Sequence, residues 1–268
     1  GDDILMLGAN TNGVIREGKL VGIFDPPNEN SAMFQIVYCD PEGCITINAL
    51  CLNLYSIIKE LLNKDGTLEG YFKKNYSRKK FGEPPIEIKI SNNTIKISVT
   101  FKFSGSLKNK KFADKSYNKT YKKLFLDGVK LFWQGSFKVF GYDEVKLKIN
   151  VKESKTSGIN VNMIDGFGIS NKKGDWKIGN YGVITVYKGD SRDGNFYDSN
   201  SFMFVSAHEF GHALGVKDIY GTIYDNIESI FNVFHTAVQD SDVEMVLLAF
   251  ITGSAIFYED LLRWKKKL

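Results

Sequence analysis

Two histidines four residues apart, with a glutamate directly after the first, open the stretch of this chain best equipped for chemistry. It reads His208-Glu209-Phe210-Gly211-His212-Ala213-Leu214-Gly215-Val216-Lys217-Asp218. On a helix, residues four apart share one face, so His208 and His212 can offer two imidazoles to one cation. Glu209 lies one step round the helix and can reach a water on that cation without being a ligand. A catalytic zinc takes three protein ligands and keeps one position open, so a third ligand is needed. Gly215 can take a left-handed conformation and end the helix sharply, which lets the chain turn back and bring Asp218 to the ion. His235, 23 residues beyond His212, is the rival for that place. The chemistry such a set points to is hydrolysis by a metal-activated water, with Glu209 as general base. The chain has three histidines in all, and two of them stand in this run.

The elements that must position these groups can be read around them. Met203, Ala207, Phe210 and Leu214 give the same helix a core-facing stripe at spacings of 4, 3 and 4. Upstream, Ile86–Ile90 alternates apolar with charged residues, and Ser91-Asn92-Asn93-Thr94 reads as a turn. Ile95, Ile97, Val99, Phe101 and Phe103 then line one face of a second strand. A helix follows over about Ser116 to Gln134, with Tyr117, Tyr121, Leu124, Gly128 and Leu131 as its stripe and Gly135 as its stop. Val145–Val151, Ile159–Ile164 and Tyr181–Tyr187 read as further strands. Downstream, Ser241 and Glu244 have capping-box spacing and open a last helix, with Val243, Val246, Leu247 and Phe250 buried. The polar run before the metal-site helix carries Asp190, Asp193, Asn195 and Asp198, oxygen ligands at spacings a Ca2+ loop can use, though an ordinary polar turn uses the same residues.

The eleven-residue pattern H-E-x-x-H-x-x-G-x-x-D resembles the metzincin clan of zinc endopeptidases. Most members carry a third His where this chain has Asp218, and the variant with Asp resembles the snapalysin type of secreted bacterial peptidase. The resemblance covers residues 201–218 closely and the rest of 86–262 more loosely. It implies an α+β fold: a twisted mixed sheet carrying two long helices on one side, then a C-terminal helical subdomain. It implies Zn2+ held by His208, His212 and Asp218, Glu209 as catalytic base, and a protein or peptide substrate. It also implies that Gly182–Tyr187 is an edge strand, where Val183 and Ile184 would pair with an extended peptide; an ordinary inner strand has the same sequence. Val233, Phe234 and His235 would wall the pocket for the substrate residue after the scissile bond. In these enzymes a methionine turn underlies the metal. Here Ser229-Ile230-Phe231-Asn232 puts a phenylalanine at that place, and an aromatic ring could fill the same space.

The 268 residues allow one large domain or two small ones. Hydrophobic residues at 43%, charged residues at 25% and a net charge of +4 suit a globular protein and do not argue for nucleic acid. The apolar run Met245–Tyr258 is short for a membrane span and suits a buried helix. Residues 1–84 read as a separate small α/β unit, accessory or pro-like, preceding a peptidase domain over 85–268. Its strands are Lys19–Phe24 and Ala32–Cys39, followed by a helix over Ile47–Leu62 with Thr46 as cap. Cys39 and Cys44 could close a small disulfide loop or remain thiols with Cys51. The sequence thus leads to a zinc-dependent endopeptidase, secreted or at the cell surface. The competing readings are a non-catalytic zinc-binding module for protein interaction and a protease toxin domain of a longer chain.

Overall fold

The computed structural model describes residues 3–6, 16–24, 33–40, 43–50, 85–112, 118–176, 180–232 and 237–265. The chain divides into two compact units, Gly1–Lys73 with Arg263–Leu268, and Lys74–Leu262. In the first unit, β1 (Asp3–Met6), β2 (Arg16–Phe24), β3 (Met33–Asp40) and β4 (Gly43–Leu50) form one antiparallel sheet in chain order. The helix expected from Ile47 is corrected here, because Ile47–Leu50 ends β4. Ile45, Thr46 and Ile47 are β-branched in succession and favour the extended chain, so Thr46 is a strand residue and not a cap. The rest of that expected helix, with Cys51, lies outside the described residues. The β3–β4 register sets Cys39 opposite Cys44.

The second unit is mixed α+β. The strands β5 (Ile86–Ser91) and β6 (Thr94–Ser104) form a hairpin. Asn92 and Asn93 both take positive φ, 48° and 52°, as a two-residue type I′ turn requires. The remaining strands are β7 (Gly135–Val139), β8 (Tyr142–Glu153), β9 (Ile159–Gly168), β10 (Asn171–Lys173) and β11 (Val183–Asp190). Their order is β10-β11-β9-β6-β8-β7, with β5 also on β6. The pairs β11/β9, β9/β6 and β6/β8 are parallel, and the others antiparallel. Burial alternates along β6, β8 and β11, as it does when one face is covered.

Two helices supply that cover. Helix α1 (Tyr121–Trp133) is capped by Thr120, whose side chain accepts from Lys123 N at 3.3 Å. It begins later than the sequence suggested, and Tyr117 lies outside the described residues. Tyr121, Leu124 and Gly128 are buried as expected, but Leu131 is 64% exposed. The buried face runs instead through Phe125, Val129 and Trp133, four residues apart. Helix α2 (Ser199–Ala213) packs against α1. Gly128 permits this closeness, since a Cβ there would lie 2.4 Å from Met203 O. Phe101, Phe125 and Phe210 meet edge-to-face between sheet and helices, at centroid distances of 5.3 and 5.7 Å from Phe101.

Three boundaries differ from the sequence reading. Gly135 does not simply stop α1; it begins β7, whose five residues offer too short an alternation to stand out. Strand β11 is not the edge of the sheet. Its residues Val183, Ile184 and Thr185 pair with Asn160, Val161 and Asn162 on one side and with Lys173, Lys172 and Asn171 on the other, and Ile184 is fully buried. The three polar residues of β10 form the edge and carry no hydrophobic period to betray them. Finally, α3 (Asp240–Thr252) is capped by Gln239 with Asp242 completing the box, two residues before the expected Ser241–Glu244 pair. Glu244 instead accepts from Phe140 N at 2.8 Å. Helix α3 is buried from Val243 to Phe250 and ends at Gly253, φ 74°; α4 (Tyr258–Lys265) follows. No helix among the described residues is long and apolar enough to cross a membrane.

Candidate metal centre

Helix α2 starts at Asp198, whose carboxylate accepts from Ser201 N at 2.7 Å and satisfies one orphan donor of the first turn. Met203, Ala207, Phe210 and Leu214 are all buried, which turns His208 and His212 to the opposite, partly open side. Two indoles fix the helix backbone: Trp133 Nε1 donates to Ala207 O at 2.9 Å and Trp176 Nε1 to Ala213 O at 2.8 Å. The helix ends at Gly215, φ +96°. The chain then runs beside Ile256, with Ile256 N on Gly215 O at 2.8 Å and Lys217 N on Ile256 O at 3.0 Å. That short bridge delivers Asp218 to the histidines.

His208 Nε2 and His212 Nε2 lie 3.0 Å apart. Asp218 Oδ1 is 3.3 Å from the first and 3.1 Å from the second. The other ring nitrogens are engaged, His208 Nδ1 with Ile230 O and His212 Nδ1 with Val216 O, both at 2.7 Å. A carbonyl can only accept, so each Nδ1 carries the proton and each Nε2 turns a lone pair inward. Two lone pairs and a carboxylate oxygen then converge, and the buried Asp218 Oδ1 accepts no hydrogen bond. Converging acceptors with no donor between them are unfavourable unless a cation joins them. The donor set therefore fits a metal ion. Among the described residues, these three are the one group of His, Cys, Asp and Glu side chains that could hold one.

Electrostatics follow from this crowding. Burial raises the Asp218 carboxyl, and only protonated imidazoles, with Nε2–H groups facing it, would hold it below the usual carboxylate range. Glu209 is 4% exposed and its Oε2 has no hydrogen-bond partner. Burial pushes its carboxyl up to about 7, with Asp218 adding to the rise and His208 opposing it. Tyr220 lies against Asp218, and burial followed by that carboxylate pushes its hydroxyl up to about 12. Tyr224 instead packs on Tyr258 with ring centroids 5.2 Å apart.

The floor of the site is Phe231. Its fully buried ring lies 5.4 Å from the His212 ring and 5.9 Å from that of His208. Gly211 makes room for it, since a Cβ there would sit 2.4 Å from Phe231 Cζ. The turn that carries Phe231 hangs on Asp242, which accepts from Ser229 Oγ at 2.5 Å, Ile230 N at 3.1 Å and Gln239 N at 2.8 Å. Ile230 O in turn orients His208. Asp242 thus fixes His208 through one residue of backbone, a role sequence reasoning missed. Only its place at N3 of a helix hinted that it would bind backbone amides.

The other sequence candidates fall elsewhere. Asp190 is taken by Arg192, whose Nε lies 3.0 Å from both carboxylate oxygens, and by Tyr197 Oη at 3.3 Å. Asp193 accepts from Asn195 N at 2.9 Å, and Asp198 caps α2. The acidic groups of that loop are thus turned to local partners rather than to a shared cation. Val183 and Ile184 lie in β11, off the sheet edge. Val233, Phe234 and His235 lie outside the described residues; among the described residues, Asp218 is the candidate third ligand that the structure brings to the histidines. No protein-family model matches the chain, and no curated protein does either.

Proposed function

We propose that the chain is a zinc-dependent endopeptidase of the metzincin type, with His208, His212 and Asp218 as ligands and Glu209 as general base. One observation carries the reading: two Nε2 lone pairs and a carboxylate oxygen meet beside a buried glutamate that has an unpartnered oxygen. The separations of 3.0, 3.1 and 3.3 Å also suit an ion of zinc's size better than Ca2+. Ligands about 2.0–2.1 Å from a tetrahedral centre stand roughly 3.3 Å apart, whereas Ca2+ wants six to eight oxygens at greater distance. The resemblance leads one to expect three strands between the two long helices; β8, β9 and β11 stand in those places, with the short β7 and β10 added.

A zinc ion held there would acidify a water and polarise the scissile carbonyl. The chain's own groups do the rest. The Ile230 and Val216 carbonyls keep both imidazoles in the tautomer that binds, and a hydrogen-bonded partner of this kind also raises ligand basicity. Phe231 and the indole-anchored α2 hold the ring positions. Glu209 Oε2 accepts the water's proton and returns it to the departing amine nitrogen. Burial suits it to this work, because a carboxylate without competing donors is a better base than one in water.

Casein cleavage and zinc content, compared between the native chain and Glu209→Gln, test the reading. The expected result is equal zinc in both, chelator-sensitive cleavage by the native chain, and a loss of about 10²–10⁴-fold in the variant. Zinc without cleavage in either would leave a binding module only, and undiminished cleavage by the variant would refute the assignment of the base.

A further inference from the structure

Beside the metal cluster lies a hollow of about 110 Å3, lined among others by Lys172, Trp176, His212, Lys217 and Asp218. Two lysines line it, and neither is paired with a carboxylate among the described residues. Lys172 is the middle residue of β10 and stands opposite Ile184. Cross-strand partners share a face, so Lys172 lies on the covered face of the sheet, not on its open one. Its Nζ donates to Gly174 O at 2.5 Å. Burial, with the nearby Lys217 charge adding to it, lowers the Lys172 ammonium from its usual range, and Asp175 only partly opposes this. Lys217 comes from the other wall, where its backbone N–H on Ile256 O fixes the segment just before Asp218. An inward lysine on an edge strand guards against strand addition by another chain. That role needs one cation and does not account for a second placed across the same hollow. Two like charges in a partly dry space are stabilised by an anion between them.

We propose that this hollow is a subsite for an acidic side chain of the peptide substrate, with Lys172 and Lys217 as its cationic walls. The proposal rests on the peptidase reading and narrows it to a substrate class. His212 and Asp218 line the same hollow, so its occupant sits within a residue or two of the scissile bond. The space suits the carboxylate of an Asp or Glu side chain, and Trp176 closes its apolar side. A basic residue would meet both ammonium groups, and a neutral amide would leave them uncompensated.

The test uses the full chain with Glu209→Gln, so that peptides bind without being cut. Amidated, fluorescein-labelled peptides carry a single Asp or Asn moved through successive positions, and a parallel set has a free C-terminus and no acidic side chain. Anisotropy should find one position at which Asp binds about tenfold tighter than Asn, as expected for a charge-assisted hydrogen bond. The ratio should fall to near one in Lys172→Gln/Lys217→Gln. In the native chain the same position should show the same preference in kcat/KM. If no position discriminates, if the preference survives in the double variant, or if only the free C-terminus is favoured, the subsite is refuted. Cleavage without any acidic preference would sink the subsite and leave the peptidase standing. A binding preference without cleavage would do the reverse.

Discussion

Replacing Gly215 by Ala strikes the bend that delivers Asp218, and the structure sets the size of the effect. Gly215 has φ +96°, and a Cβ there would lie 2.7 Å from Ala249 Cβ and 2.9 Å from Trp176 Cε2. The left-handed backbone costs an L-residue about 1–2 kcal/mol. Forcing a methyl into a filled site adds about 1–3 kcal/mol. The expected loss is therefore about 2–5 kcal/mol, a large part of the roughly 5–15 kcal/mol that holds a typical domain together. The strain has two outlets. Trp176 can retreat, which gives up its bond to Ala213 O, or residues 215–218 can shift, which draws Asp218 away from the imidazoles. Either outlet disturbs the ligand set, so zinc affinity should fall together with stability. Gly141→Ala is the control: its φ is +86° and nothing lies within 4 Å of the added Cβ, so only the backbone contribution of about 1–2 kcal/mol remains and the metal should bind as before. Urea unfolding and competitive zinc titration on both variants give the comparison. If Gly215→Ala were no less stable than Gly141→Ala and bound zinc equally well, the bend would not be what places the third ligand.

Two further predictions concern the floor of the site. Phe231→Ala should lose about 3–5 kcal/mol in urea unfolding, as for a large buried aromatic, with weaker zinc binding, whereas Phe231→Met should stay within about 1.5 kcal/mol of the native chain; equal losses in the two would show that the ring does not support the histidines. Asp242 gives a pH signature. Burial, against the hydrogen bonds it receives, pushes its carboxyl up to about 6, above the roughly 3.9 of an unfolded chain. The folded state thus holds the proton more tightly, and this group's contribution to stability declines as pH rises from about 4 through 6, by up to about 3 kcal/mol. Unfolding of native and Asp242→Asn chains between pH 4 and 6.5, both in chelator, should show that component in the native chain alone; parallel curves would contradict it.

The parts of the site that were legible in the sequence are those whose partners are close along the chain. His208, His212 and Asp218 fall within one helix and one bend, so a period of four and a glycine sufficed. Phe231 was legible only through the resemblance, which sets Ser229-Ile230-Phe231-Asn232 where a methionine turn would underlie the metal. What stayed hidden depends on distant contacts. Trp133 and Trp176 reach carbonyls 74 and 37 residues away, and nothing local to either tryptophan announces such a partner. Asp242 looked like an ordinary helix-start acid, yet it suspends the Ser229–Ile230 turn. The sheet edge was misplaced for a related reason. Hydrophobic alternation finds the long inner strands, but Asn171-Lys172-Lys173 has none, and it is this polar tripeptide that pairs outside β11. In the first unit a helical spacing of leucines hid the extended preference of Ile45-Thr46-Ile47.

The central claim is that one zinc ion joins His208, His212 and Asp218. Its most direct test is the metal content of protein purified without chelators, supplied with zinc and freed of excess, read by mass spectrometry beside Asp218→Ala and His212→Ala. The account predicts one zinc per native chain and a loss of it in both variants, with each variant still folded by circular dichroism. A native chain that retains no zinc, or an ion that persists at full occupancy when either ligand is removed, would contradict it.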